Sequence, residues 1–99
     1  MITEIAHISI LPEKAPQFVA AVSQAAPLFR AADGCHGMRL EEVIETPGQF
    51  RLCVDWESVD HHMVTFRQSE AFEQWRALAG PFFLEPPKVE HWNNCGSFF

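Results

Sequence analysis

Residues 35–57, CHGMRLEEVIETPGQFRLCVDWE, hold the clearest structural signal in the chain. Two strand-forming runs, Cys35 to Glu45 and Phe50 to Glu57, flank Thr46-Pro47-Gly48-Gln49. Proline early in that tetrapeptide presets φ for a turn, and the glycine after it accepts a positive φ. A turn of this kind between two such runs predicts a β-hairpin. In the second run Phe50, Leu52, Val54 and Trp56 share one face, and Arg51, Cys53 and Asp55 share the other. One face is therefore built for a core.

Working outward, Ile2 to Ile10 reads as a strand, with Ile2, Ala6, Ile8 and Ile10 on one side and Ile5, His7 and Ser9 on the other. Leu11-Pro12 ends it. A helix follows from Glu13 to Arg30, its apolar stripe formed by Phe18, Val19, Val22, Ala26 and Phe29. Pro16 suits a first turn, whereas Pro27 predicts a kink or fraying. Beyond the hairpin, Ser58 is a helix N-cap, and Val59, His62, Met63 and Phe66 share a helical face. Ser69 caps another helix with the stripe Ala71, Phe72, Trp75, Leu78 and Ala79, stopped by Gly80-Pro81. Lys88 to Trp92 is a short final strand, followed by a polar and aromatic tail.

The order β-α-β-β-α-α-β predicts one α+β domain over residues 1–99: a ferredoxin-like, antiparallel four-stranded sheet with helices on one face. Nine Phe, three Trp and 47% hydrophobic residues are generous for 99 residues. A second copy covering an apolar sheet face would account for them, so the expectation is a homodimer, its two sheets packed into a dimeric α/β barrel. Net charge is −6, and the seven basic residues are scattered from Lys14 to Lys88. Without a basic patch, neither nucleic acid nor an anionic membrane is an expected partner. The start MITEIAHISI lacks the basic, then apolar, organisation of a signal peptide, and no apolar run approaches a membrane span. Three cysteines, odd in number and without a CxxC pair, fit free thiols in a reducing compartment, by default the cytoplasm.

None of the five histidines belongs to HExxH or another spaced metal-ligand set, and adjacent His61 and His62 on a helix point about 100° apart. No GxSxG, phosphate loop or dinucleotide fingerprint is present, so an activity would use no cofactor or a borrowed one. Cys53 reads as a small buried residue rather than a nucleophile. What remains is a cluster implied by periodicity. His62 and Phe66 on one helix, Phe72 and Trp75 on the next, and His7 and His91 on the outer strands are placed to line a cavity, with Met63 and Trp56 beside them. An aromatic-walled pocket with few polar groups suits a planar hydrophobic ligand. His62 is the candidate base. The competing reading of the same residues is core packing.

Residues 55–92, DWESVDHHMVTFRQSEAFEQWRALAGPFFLEPPKVEHW, carry Trp56-Glu57-Ser58, Ser69 to Phe72, and Val89-Glu90-His91 in an order that resembles the antibiotic biosynthesis monooxygenase family. That resemblance implies the dimeric α+β barrel. It also implies one of several roles: cofactor-independent oxygenation of aromatic polyketides or quinols, haem degradation, or a role not yet defined. The chain departs from the haem-degrading pattern, having His7, Phe66 and Arg76 where that branch carries Asn, Trp and His. The leading expectation is a cofactor-free monooxygenase acting on a small phenolic, anthrone-like or quinol compound. His62 is its base, Trp75 and Phe66 hold the ring, and His7 or His91 assists by hydrogen bonding. The alternatives are a non-catalytic dimer that binds a small hydrophobic metabolite, and a non-oxidative isomerase or cyclase using the same pocket.

Overall fold

The computed structural model describes residues 1–99, in which β1 (Ile2–Ser9), β2 (Cys35–Glu42), β3 (Gln49–Trp56) and β4 (Lys88–Trp92) form one antiparallel sheet. The strand order is β2-β3-β1-β4. Helix α1 (Ala15–Arg30) follows a single 3-10 turn at Pro12–Lys14, and α2 (Glu70–Ala79) precedes β4. The predicted hairpin forms, and Gly48 takes φ +91 at its turn. A Cβ there would meet the Ile10 carbonyl oxygen at 2.5 Å, so glycine is needed for space as well as for torsion.

Register explains the core. Ile2 pairs with Trp56, Glu4 with Val54, Ala6 with Leu52 and Ile8 with Phe50, which puts the even-numbered residues of both strands under the helices. Phe18, Val22, Ala25 and Phe29 recur at helical spacing on α1 and are buried against that face. Phe18, Val22 and Phe29 each contribute roughly 1.5–3 kcal/mol on burial. Pro27 does not interrupt α1, which stays helical to Arg30. Its missing amide removes one bond, and the packing of Ala25 and Phe29 on either side holds the last turn in place.

Two expectations are corrected. The sheet is open: β2 and β4 are edge strands with one neighbour each, so this chain's sheet does not close and the α/β barrel is not its architecture. The face away from the helices is also not an apolar surface awaiting a cover. Arg51 and Arg39 both donate to Glu41, His7 pairs with Glu90 at 2.8 Å, and Thr3 donates to Asp55 at 2.8 Å. Ile5 and Cys53 are buried beneath this polar layer. Most of the aromatic residues pack inside the chain, where Phe18 meets Phe50, Phe82 and Phe83 edge-on, and Phe29 meets Trp75.

A third correction concerns the first of the two short helices. His61–Phe66 is a π-helix, its wider winding marked by the Arg67 amide donating to the His62 carbonyl five residues back. His62 and Phe66 face inward, whereas Val59 and Met63, expected on the same face, are exposed.

Candidate functional site

The sheet's helix-side face, α2 and the segment from Gly80 to Val89 border a half-open cavity of about 970 Å³. Glu4, Ala6, Ile8 and Leu52 line it from the sheet, and His62, Phe72 and Trp75 from the helical side. Phe83, Leu84 and Pro86 come from the connection to β4, and Arg67 and Arg76 also border it. Ser69 sets the angle of α2: its hydroxyl accepts from the Phe72 amide at 3.3 Å and donates to the Phe66 carbonyl at 2.6 Å. That cap brings the Phe72 and Trp75 rings over the sheet.

Glu4 and His62, 5% and 4% exposed, are the two buried polar residues of the chain. The Trp56 indole N–H donates to Glu4 Oε1 at 2.9 Å, and His62 Nε2 lies 3.3 Å from the same oxygen. His62 Nδ1 is hydrogen-bonded to His91 Nε2 at 2.9 Å. The His62 ring stacks on Trp56 with centroids 5.5 Å apart, and no buried side-chain polar atom of the chain lacks a partner. Burial pushes the Glu4 carboxyl up to about 7, against smaller opposing effects of the Trp56 hydrogen bond and the Arg67 charge. Burial also pushes the His62 imidazole down to about 4, helped by His91 and Arg67. Near neutrality the contact is therefore a carboxyl in mid-titration beside a neutral imidazole, not a fixed ion pair. A carboxylate poised there can take up or deliver a proton at the cavity wall.

The predicted site residues scatter across this frame. His62, Trp75 and Phe72 line the cavity. His91 joins through His62, and Trp56 through its indole N–H to Glu4. Phe66 is packed among Phe29, Trp56 and Phe72 behind the wall. Met63 faces solvent, its sulfur 4.0 Å from an Arg67 nitrogen. His7 lies on the opposite face of the sheet with Glu90 and is not brought to the cavity. Glu4 is the residue that sequence reasoning missed, although its signal was present: an acid at the one even position of Ile2, Ala6, Ile8 and Ile10 that the apolar alternation skips. No three His, Cys, Asp or Glu side chains gather at metal-ligating spacing.

The sequence pattern of the family described as antibiotic biosynthesis monooxygenase matches residues 1–78. The chain belongs to the antibiotic biosynthesis monooxygenase family. The match takes in Glu4, Trp56, His62 and Trp75 and stops before His91. A crystal structure from Bordetella bronchiseptica, provisionally described as an antibiotic biosynthesis monooxygenase, is similar with 52% identity and a TM-score of 0.92, over 94% of this chain and 95% of that one. The uncharacterized protein YczJ of Bacillus subtilis (strain 168) is 31% identical over 95% of this chain and 99% of its own length. Rv0793 of Mycobacterium tuberculosis, at 21% identity and a TM-score of 0.76 over 99% and 98% of the two chains, shares the fold.

Proposed function

We propose that this member of the antibiotic biosynthesis monooxygenase family is a cofactor-independent monooxygenase. Its substrate is a small planar aromatic compound, phenolic, anthrone-like or quinol, and its oxidant is molecular oxygen. The observation that carries the reading is the buried Glu4–His62 pair on the wall of a cavity that Phe72, Trp75 and Phe83 also line. Removing a proton from an anthrone-like carbon acid gives a delocalised carbanion, which adds dioxygen; loss of water from the resulting hydroperoxide leaves the quinone. Glu4 is the group suited to take that proton, because its affinity for protons lies near neutrality. His62, held neutral, positions the carboxyl and the substrate oxygen rather than acting as the primary base. Trp75 and Phe72, side by side on α2, hold the ring, with Phe66 and Trp56 supporting them from behind.

Residues 1–99 act as one domain in this reading, in the cytoplasm, where the three free thiols stay reduced. No helix is long and apolar enough to cross a membrane. The working form is a homodimer. Support for pairing comes from exposed apolar groups at the β4 edge and the tail, Val89, Trp92, Phe98 and Phe99, instead of from an apolar sheet face. Sedimentation at micromolar concentration will give twice the 11.3 kDa chain mass, and a single-chain mass there would remove the homodimer from the account.

Dissolved-oxygen uptake with a panel of anthrones, naphthoquinols and catechols tests the activity, against autoxidation controls. The expected result is protein-dependent uptake that falls at least tenfold in Glu4→Gln. Saturable binding of a panel compound without uptake would instead assign the cavity to a binding protein or a non-oxidative enzyme.

A further inference from the structure

Each ring nitrogen of His62 faces a different partner: Nε2 lies 3.3 Å from the Glu4 carboxyl, and Nδ1 is hydrogen-bonded to the His91 ring. Glu4 is buried on the cavity wall, whereas His91 is half-buried on an edge strand, and its remaining nitrogen, Nδ1, has no protein partner. The three groups thus lie in a row from the buried carboxyl to the β4 edge, a 3.3 Å contact followed by a hydrogen bond. His91 stands directly across from Glu4 in the β1–β4 register, so the strand pairing itself fixes both ends.

We propose that His62 and His91 form a proton relay linking Glu4 to solvent at the β4 edge, by which the buried carboxyl loses and regains its proton while a ligand fills the cavity. The relay deepens the function proposed above, since it rests on Glu4 exchanging a proton with a ligand in this cavity. When Glu4 is a neutral acid, its O–H points at His62 Nε2, His62 Nδ1–H donates to His91 Nε2, and His91 carries its proton on Nδ1. Ionisation shifts each proton one place: Glu4 O–H breaks and His62 Nε2–H forms, His62 Nδ1–H breaks and His91 Nε2–H forms, and the His91 Nδ1 proton passes to water. One proton leaves, no electrons are transferred, and both imidazoles end neutral. The 3.3 Å Glu4–His62 link is the longest of the line, a length that a bound ligand can tighten.

Other charges facing the line do not break it. The Trp56 indole donates to Glu4 in either state, and Arg67 acts on both Glu4 and His62 through its charge. The Cys35 thiol near Glu4 is held protonated, its affinity for the proton raised by burial. His91 is a positioning residue in this scheme, acting on Glu4 through His62.

Nitrogen NMR of the histidine rings in the ligand-free protein tests the relay, independently of any turnover. Near pH 7, as Glu4 ionises, the His62 proton is expected to move from Nδ1 to Nε2 while the ring stays neutral. Glu4→Gln should lock His62 in one tautomer throughout. Should that variant not fold, His91→Phe on the edge strand gives the second readout: two slowly exchanging His62 signals where the native protein shows one averaged signal. A native His62 that keeps a single tautomer through the Glu4 titration, or exchange unchanged in His91→Phe, would overturn the relay. Those outcomes leave the oxygen-uptake result untouched, and a failure of oxygen uptake leaves them readable.

Discussion

Glu4 and His62 have opposite effects on stability, because burial shifts them in opposite directions. Glu4 has a native value of about 7 against an ordinary 4.5, so the folded chain holds the extra proton and stability falls as pH rises between those values. His62 has a native value of about 4 against 6.5, so the unfolded chain holds the extra proton and stability rises with pH over that interval. Between 4.5 and 6.5 the two slopes oppose each other and nearly cancel. Glu4→Gln removes one of them and keeps the burial, His91 and Arg67 that hold His62 down. Urea unfolding across that window will show the variant gaining stability with pH relative to the native chain, by at most about 1.4 kcal/mol per pH unit before solvent screening. Parallel pH profiles would show that the pair is not perturbed as described. Sequence alternation alone could have flagged Glu4. It could not have revealed the depressed imidazole, which arises from packing against Trp56 and His91 across 29 residues of chain.

At the scale of elements, the strands, α1, the Ser69 cap and α2 were legible because each rests on local chemistry: alternation, a stripe, a hydroxyl three residues from an amide. The stretch from His61 to Phe66 was not. Its side chains suit an ordinary helix, on which His62 and Phe66 would share the same buried face, so no local pattern marks the π winding. That segment is also seated by Gly34, which takes φ +78 and lies so close to His61 that a Cβ would approach the ring Cδ2 at 2.4 Å. Gly34→Ala therefore combines backbone strain with displacement of the His61 ring. Thermal denaturation should show a loss of about 1–3 kcal/mol, accompanied by perturbed His62 resonances one residue further on. A variant as stable as the native chain would mean that the Gly34–His61 contact does not hold the π segment.

Over the whole molecule, composition was a poor guide to surface. Nine Phe and three Trp suggested an apolar sheet face, yet an 11.3 kDa chain absorbs most of them between α1, α2 and the sheet. The open face, by contrast, carries the Arg39–Glu41–Arg51 and His7–Glu90 pairs. Cross-strand order decides which residues meet, and it placed His7 on that face and His91 beneath the helices. The cavity is likewise a property of the assembled molecule, since its wall draws on β1, β3, α2 and the loop before β4. The central claim is that this cavity joins dioxygen to an aromatic carbon acid using the chain's own carboxyl–imidazole pair. Turnover of an anthrone under isotopically labelled dioxygen, followed by product mass spectrometry, tests it directly. The account predicts one labelled oxygen atom per product quinone, formed at a rate that depends on Glu4. Unlabelled product, or labelled product formed equally fast by Glu4→Gln, would contradict it.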